Sequence, residues 1–190
     1  MESGRPGNLV RRAAAGDRPA WDELVDRYSR LLWSIALGYR LAQPDAADVV
    51  QTTWLKLLEH LETIRDPDRV GAWLATTARR ECQRVLVQGG RVVPSDDTGQ
   101  LDLGTNELES PEAKVLTSER DRILWRSFRH LPPRCQRLLR LLAVVVAPYE
   151  EVAAALDMPI GSIGPTRARC LERLRRSLAA SGISAEVSDS

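Results

Sequence analysis

Tyr149-Glu150-Glu151-Val152-Ala153-Ala154-Ala155-Leu156-Asp157-Met158-Pro159-Ile160-Gly161-Ser162-Ile163-Gly164-Pro165-Thr166-Arg167-Ala168-Arg169-Cys170-Leu171-Glu172-Arg173-Leu174 reads as a helix-turn-helix. A short Ala-rich helix buries Val152, Ala155 and Leu156. Met158-Pro159-Ile160-Gly161 breaks it, and Ser162 stands where a second helix needs its N-cap. Pro165 falls in the first turn of that helix, where a missing N–H costs nothing. Arg167, Arg169, Arg173, Arg175 and Arg176 follow, against one acid, Glu172. Small residues at the start of such a helix allow close approach to base edges, and arginines behind them neutralise phosphates. A plain antiparallel helix pair with a solvated basic face is the competing explanation, since helix-turn-helix patterns are common.

Composition sets the frame. The 190 residues allow one domain or two small ones. With a single Phe and an abundance of Leu, Ala and Arg, the chain favours helices over sheets. The net charge is +1, so any nucleic-acid surface must arise by local segregation of charge. Cys82, Cys135 and Cys170 lie far apart, with no CxxC and no Cys/His cluster. They read as small buried thiols in a reducing compartment, not as metal ligands. No signal peptide is visible and no apolar run approaches the roughly 18 residues of a membrane span, which predicts a cytoplasmic protein without membrane insertion.

Upstream, residues 1–7 read as a loose N-terminus, followed by a short helix from Leu9 to Ala15. Trp21, Leu24, Val25, Tyr28, Leu31, Leu32, Ile35 and Tyr39 then recur at helical spacing. Pro44-Asp45 opens a third helix whose apolar stripe is Val50, Trp54, Leu57, Leu58 and Leu61. A fourth runs from Val70 to Val87 with Trp73, Leu74, Thr77 and Ala78 inward, and carries Arg79, Arg80 and Arg84 as a basic face. Gly89-Gly90 ends this half. Asp96, Asp97, Asp102, Glu107, Glu109 and Glu112 follow with no base until Lys114, the composition of an acidic flexible linker. Ser110-Pro111-Glu112 is a helix start. Leu131-Pro132-Pro133 is a corner before a helix from Arg134 to Val146, and the residues after about Ser181 read as a disordered tail. The expected fold class is all-α: two small helical domains joined by an acidic linker, the second holding the helix-turn-helix.

Three segments, in this order, resemble the extracytoplasmic-function group of bacterial RNA polymerase sigma factors. They are Asp45-Ala46-Ala47-Asp48-Val49-Val50-Gln51-Thr52-Thr53-Trp54-Leu55, then Gly71-Ala72-Trp73-Leu74-Ala75-Thr76-Thr77-Ala78-Arg79-Arg80, then Leu131-Pro132-Pro133-Arg134-Cys135 with the helix-turn-helix. The resemblance implies a region-2-like domain over 8–88, a linker over 89–111 and a region-4-like domain over 112–180. It implies a non-catalytic promoter-specificity subunit, with no cofactor and no metal. The implied partners are core RNA polymerase, promoter DNA and, as in many members of the group, an anti-sigma factor. By this resemblance Asp45, Asp48, Gln51 and Leu55 meet the polymerase. The helix with Arg79, Arg80 and Arg84 reads the −10 element, beside a loop over Glu62–Asp68 that captures a flipped base. Ser162, Gly164, Pro165, Thr166, Arg167, Arg169 and Arg173 serve the −35 element. Family members often carry Asn where Arg80 stands, which leaves a phosphate contact as the alternative role there. Trp54 and Trp73 read as core residues. Ala143-Val144-Val145-Val146-Ala147 replaces a more polar turn, so either the preceding helix is longer or an apolar patch is exposed.

Two other classes are weaker. A free-standing dimeric regulator has no need of the Asp45–Leu55 segment. For an enzyme, His60 and His130 are isolated, no phosphate loop is present, and the adjacent Glu150 and Glu151 point in different directions on a helix.

Overall fold

The computed structural model describes residues 5–90 and 119–180. Among these, eight α-helices and three short helical turns form the whole architecture. The linker over 91–118, including the Ser110 helix start, and the tail after Ala180 lie outside the described residues.

α1 spans Pro6–Ala14, with proline in its first turn, and buries Leu9 and Val10. It begins earlier than the pattern from Leu9 implied, because Pro6 suits a first turn. Gly16, at φ 86°, supplies the left-handed turn that ends it. Asp17 then accepts the Ala20 N–H and caps α2 (Arg18–Gly38), while its other oxygen pairs with Arg12 at 2.6 Å. α3 covers Gln43–His60, and a 3-10 turn at Pro67–Arg69 leads into α4 (Val70–Gln88). The Gly7 N–H donates to the Asp68 carboxylate at 3.1 Å, which ties α1 to that turn.

α2 buries Leu24, Tyr28, Leu31, Leu32 and Ile35, four of them leucines and isoleucine on the expected stripe. α3 differs from expectation. Its inward stripe is Ala46, Val49, Val50, Thr53 and Leu57, whereas Leu58 is 56% exposed. The packing partners α2 and α4 select a face about one residue round from the one hydropathy suggested. α4 likewise buries Gly71, Leu74, Ala75 and Ala78, and leaves Trp73 and Thr77 only half-buried. Each fully buried leucine contributes about 1.5–3 kcal/mol, and Leu24, Leu32, Leu57 and Leu74 all reach zero exposure.

The C-terminal half comprises α5 (Glu119–Arg129), α6 (Pro133–Arg140), α7 (Tyr149–Leu156) and α8 (Ile163–Ala180). The helix expected over 134–146 is α-helical only to Arg140. It continues as a π turn over Leu141–Val145 and stops at Val146, which is left-handed at φ 56° and 76% exposed. Both readings of that segment therefore hold: the helix is prolonged, and an apolar tip is exposed. Cys135 on α6 and Cys170 on α8 form a disulfide, and Cys82 alone is a free thiol. This corrects the expectation of separate thiols; the chain folds back over a sequence separation of 35 and brings α8 against α6.

The two halves share one hydrophobic core. Among the described residues α7 lies along α4 more extensively than any other two helices meet. A Cβ at Gly71 would collide with the Glu151 carboxylate and the Tyr28 ring, so only glycine admits α7 this close. Across the same seam the Arg137 guanidinium of α6 sits over the Tyr39 ring, 5.0 Å from its centre.

Candidate nucleic-acid interface

α8 anchors itself through Ile163, Thr166 and Cys170, at i, i+3 and i+7. That periodicity turns Pro165, Arg167, Arg169 and Arg173 to solvent. Thr166 does not belong to the exposed set: it is buried, and its hydroxyl accepts from Arg169 at 3.2 Å. Ser162 immediately precedes α8, but its hydroxyl donates backward to the Pro159 carbonyl at 2.7 Å, so it stabilises the turn. Asp157 ends α7 in the left-handed region at φ 54°, and the 3-10 turn Ile160–Ser162 redirects the chain into α8. Gly164 has open space around it, which leaves the start of α8 free for close approach. The three arginines are therefore exposed on either side of the buried stripe, Arg167 on one flank and Arg169 and Arg173 on the other, behind a small-residue helix start.

The arginines of α4 are arranged differently. Arg79 is buried and pairs with Asp157 of α7 at 3.1 Å. Arg80 is exposed and lines a cleft. Arg84 is exposed but bonds Glu81 and Gln88 on its own helix. The three do not form one basic face, because 79 and 80 diverge by a helical step and Arg79 turns into the seam. Glu81 is itself buried between Lys56 and Arg84. Burial pushes its carboxyl up, but the bonds and charges of Lys56 and Arg84 win and hold it below the ordinary value.

The cleft, about 980 Å³, was not legible in the sequence. One wall is the 63–66 loop with His60, Trp73, Thr76, Thr77 and Arg80; the other is α7 and its turn, from Glu150 to Ile160. Trp73, expected in the core, sits with its indole 6.1 Å from the His60 ring at this cleft. A half-apolar helical position followed by two threonines was the only sign of it.

Glu151 lies half-buried in the seam. Burial, opposed by Arg27 and reinforced by Glu150, pushes its carboxyl up to about 7. Burial, with Glu151 adding to it, also pushes the Tyr28 hydroxyl up to about 12. Burial raises the Cys82 thiol to about 12, which makes it an unreactive core group.

α3 presents a separate outward face. Asp48, Gln51, Leu55 and Leu58, spaced i, i+3, i+7 and i+10, are all exposed. Asp45 is half-buried at the helix start, where a carboxylate favours the macrodipole. Leu58 joins this face although hydropathy assigned it to the core.

Residues 24–92 match the sigma-70 region 2 family. The chain is 30% identical over 162 residues to the ECF RNA polymerase sigma-E factor of Escherichia coli K12, covering 82% of this chain and 84% of that protein. The chain belongs to the ECF family of RNA polymerase sigma factors. The Haemophilus influenzae sigma-E factor is 28% identical over the same length. Among solved structures, CnrH in complex with the cytosolic domain of CnrY matches at a TM-score of 0.61 and 23% identity, over 93% of this chain and 98% of that one. RpoE of Bartonella quintana, in complex with the anti-sigma factor NepR, matches at 0.50 and 19% identity, over 84% and 96%. These likenesses show a shared helical fold. Sigma factors are non-catalytic subunits that direct RNA polymerase to promoters. No helix of this sigma factor, among the described residues, is long and apolar enough to cross a membrane.

Proposed function

We propose that this sigma factor reads the −35 element with α7–α8, reads the −10 element with α4 and its cleft, and binds core RNA polymerase through the outer face of α3. The observation that carries the proposal is α8, whose buried Ile163, Thr166 and Cys170 turn Arg167, Arg169 and Arg173 outward behind an unobstructed helix start. Arg167 is nearest the entering end and suits base edges; Arg169 and Arg173 suit phosphates. Ser162, Gly164 and Pro165 shape the end that approaches the groove.

On the other half, Arg80 and Arg84 are the exposed cations of α4, and the cleft with Trp73, Thr76 and Thr77 offers the stacking surface and hydroxyls an unstacked base requires. Arg79 joins them only when its bond to Asp157 is released. Asp48, Gln51 and Leu55, with Leu58 beside them, form a mixed polar and apolar face that is exposed among the described residues. The functional division is 8–88 for polymerase and −10 contacts and 112–180 for −35 contacts. The protein works in the cytoplasm, beside its polymerase, and an anti-sigma factor is a partner by analogy with those of CnrH and the Bartonella RpoE.

The α3 assignment is tested by Asp48→Lys combined with Gln51→Ala. Both side chains are exposed, so helicity should be unchanged while affinity for core polymerase falls. A folded double variant that forms holoenzyme with wild-type affinity would place the polymerase contact elsewhere.

A further inference from the structure

The three cysteines differ in what they can do. Cys82 lies in the core of the N-terminal half, where burial keeps its thiol protonated and inert. Cys135 and Cys170 are joined across α6 and α8, with Cα atoms 5.4 Å apart. A bond of this kind is out of place beside a cytoplasmic polymerase, because the thiol pools there keep cysteines reduced. Disulfides that do form in that compartment are mostly transient and redox-sensing. Position gives the two sulfurs separate roles. Cys135 stands in the first turn of α6, where the positive end of the helix dipole favours a thiolate. It is also the more accessible of the two, 6% exposed against 1% for Cys170. Cys170 is the last buried residue of α8. Beyond it Leu171 and Leu174 are only half-buried, and Arg173, Arg175 and Arg176 are exposed. The disulfide is therefore the outermost fixed point of the helix that carries the arginines.

We propose that Cys135 and Cys170 are a reversible redox pair, oxidised by hydrogen peroxide and reduced by dithiols, which sets how well α8 holds DNA. This rests on the assignment of α8 to the −35 element. In the oxidising direction the Cys135 thiolate attacks one oxygen of the peroxide. The O–O bond breaks, the other oxygen leaves as water after taking up a proton, and Cys135 becomes a sulfenic acid. The Cys170 thiolate attacks that sulfur, the S–S bond forms, and the hydroxyl departs with a proton as a second water. The two thiols lose two electrons and the peroxide gains them. A dithiol reverses the reaction through a mixed disulfide: it supplies two electrons and two protons and ends as its own disulfide. The pair can reclose because α6 and α8 already hold the two Cα atoms at bonding separation. With the bond made, the part of α8 bearing Arg173 is pre-organised against the phosphates. With it broken, Ile163 and Thr166 still anchor the start of the helix, but the remainder must be ordered on binding, which weakens the contact.

The pair is tested first on the full chain alone. The protein is equilibrated in glutathione buffers of graded ratio, quenched in acid and unfolded, and its free thiols are counted with a maleimide. All three cysteines should label after the buffer matched to the cytosol, and only Cys82 after the oxidising one or after hydrogen peroxide. A bond that survives every reducing buffer would be purely structural and would overturn the proposal, as would thiols that peroxide fails to join. The second measurement is binding of holoenzyme, assembled with purified core polymerase, to promoters mapped by run-off transcription of genomic fragments. The dithiol form should need on the order of tenfold more holoenzyme for half-maximal binding than the disulfide form. Cys135→Ala with Cys170→Ala should stay at the weaker level in both buffers, with circular dichroism checking helicity; if that variant does not fold, the wild-type comparison between buffers decides. Arg173→Ala should cost more in the disulfide form than in the dithiol form, a coupling that loss of general stability does not produce. Equal binding by the two forms, or tighter binding by the dithiol, would overturn the control of α8. Arg169→Ala and Arg173→Ala without effect in either form would instead sink the −35 assignment, and the control with it. The thiol counts, taken without polymerase or DNA, separate that failure from failure of the redox pair.

Discussion

α4 and α8 are two amphipathic helices of nearly equal length, each carrying adjacent arginines, and the fold treats them in opposite ways. α8 buries one narrow stripe and shows its arginines to solvent. α4 is buried on one side by its own half and covered on another by α7, which takes Arg79 out of solvent and leaves Arg84 bonded along its own helix. The lesson is that an arginine run marks a possible nucleic-acid surface, but availability is decided by what packs beside it. α8 is also held differently, by a covalent bond from Cys170 to α6, whereas α4 is held by packing and by ion pairs such as Arg79–Asp157.

The largest expected effect comes from that bond. In the chain-entropy account, closing a loop of 35 residues stabilises by about 3–4 kcal/mol. Cys135→Ser with Cys170→Ser should therefore lower the denaturation midpoint of the C-terminal half by an amount of that order, and a reducing agent should do the same to the wild type. Urea unfolding of both forms, followed by hydrogen exchange in α8 and α4, would check it. Equal loss of protection in the two helices would show that the halves unfold as one unit and would erase the contrast between them.

A smaller effect should follow pH and fall on the seam alone. Glu151 faces Arg27 and Tyr28 of α2, Gly71 of α4 and Glu150 of its own helix. Its carboxyl is raised from 4.5 to about 7 in the folded chain, so the folded form binds the extra proton. The contribution favouring the fold is fully present below the ordinary value and is lost as pH rises through about 7. The unfolding equilibrium constant should grow severalfold between pH 6 and pH 8, and Glu151→Gln should flatten that dependence and keep the chain more stable at pH 8. A wild-type profile that is flat across this window would remove Glu151 from the seam's energetics.

The smallest effects should separate the residues of α8. Arg167→Ala should relax preference within the −35 element by about 1–3 kcal/mol of discrimination. Arg169→Ala should weaken binding to all sequences alike and reduce the salt slope by about 0.9. Transcription from a library of −35 variants at two salt concentrations would measure both. An Arg167→Ala profile of wild-type shape would assign that residue to the backbone.

Much of the fold was legible beforehand. The periodicity of Leu24, Tyr28, Leu31, Leu32 and Ile35, the prolines at helix starts, and the break at Met158-Pro159 are local signals, and local signals determined that the chain is helical and where the helix-turn-helix lies. The outward arginines of α8 were readable too, because a single helix with a short apolar stripe has one face to bury. The rest depended on neighbours distant in sequence. Leu58 is exposed and Thr53 buried because α2 and α4 approach α3 from a direction that hydropathy does not encode. Cys135 and Cys170 are bonded because α8 returns across α6. Thr166 is core, and Arg79 is hidden, because α6 and α7 happen to lie where those side chains point. By itself the sequence determined the elements, their order and the chemistry each could offer. Only the tertiary structure decided which of that chemistry faces solvent, since exposure is a property of pairs of helices and no single helix carries it.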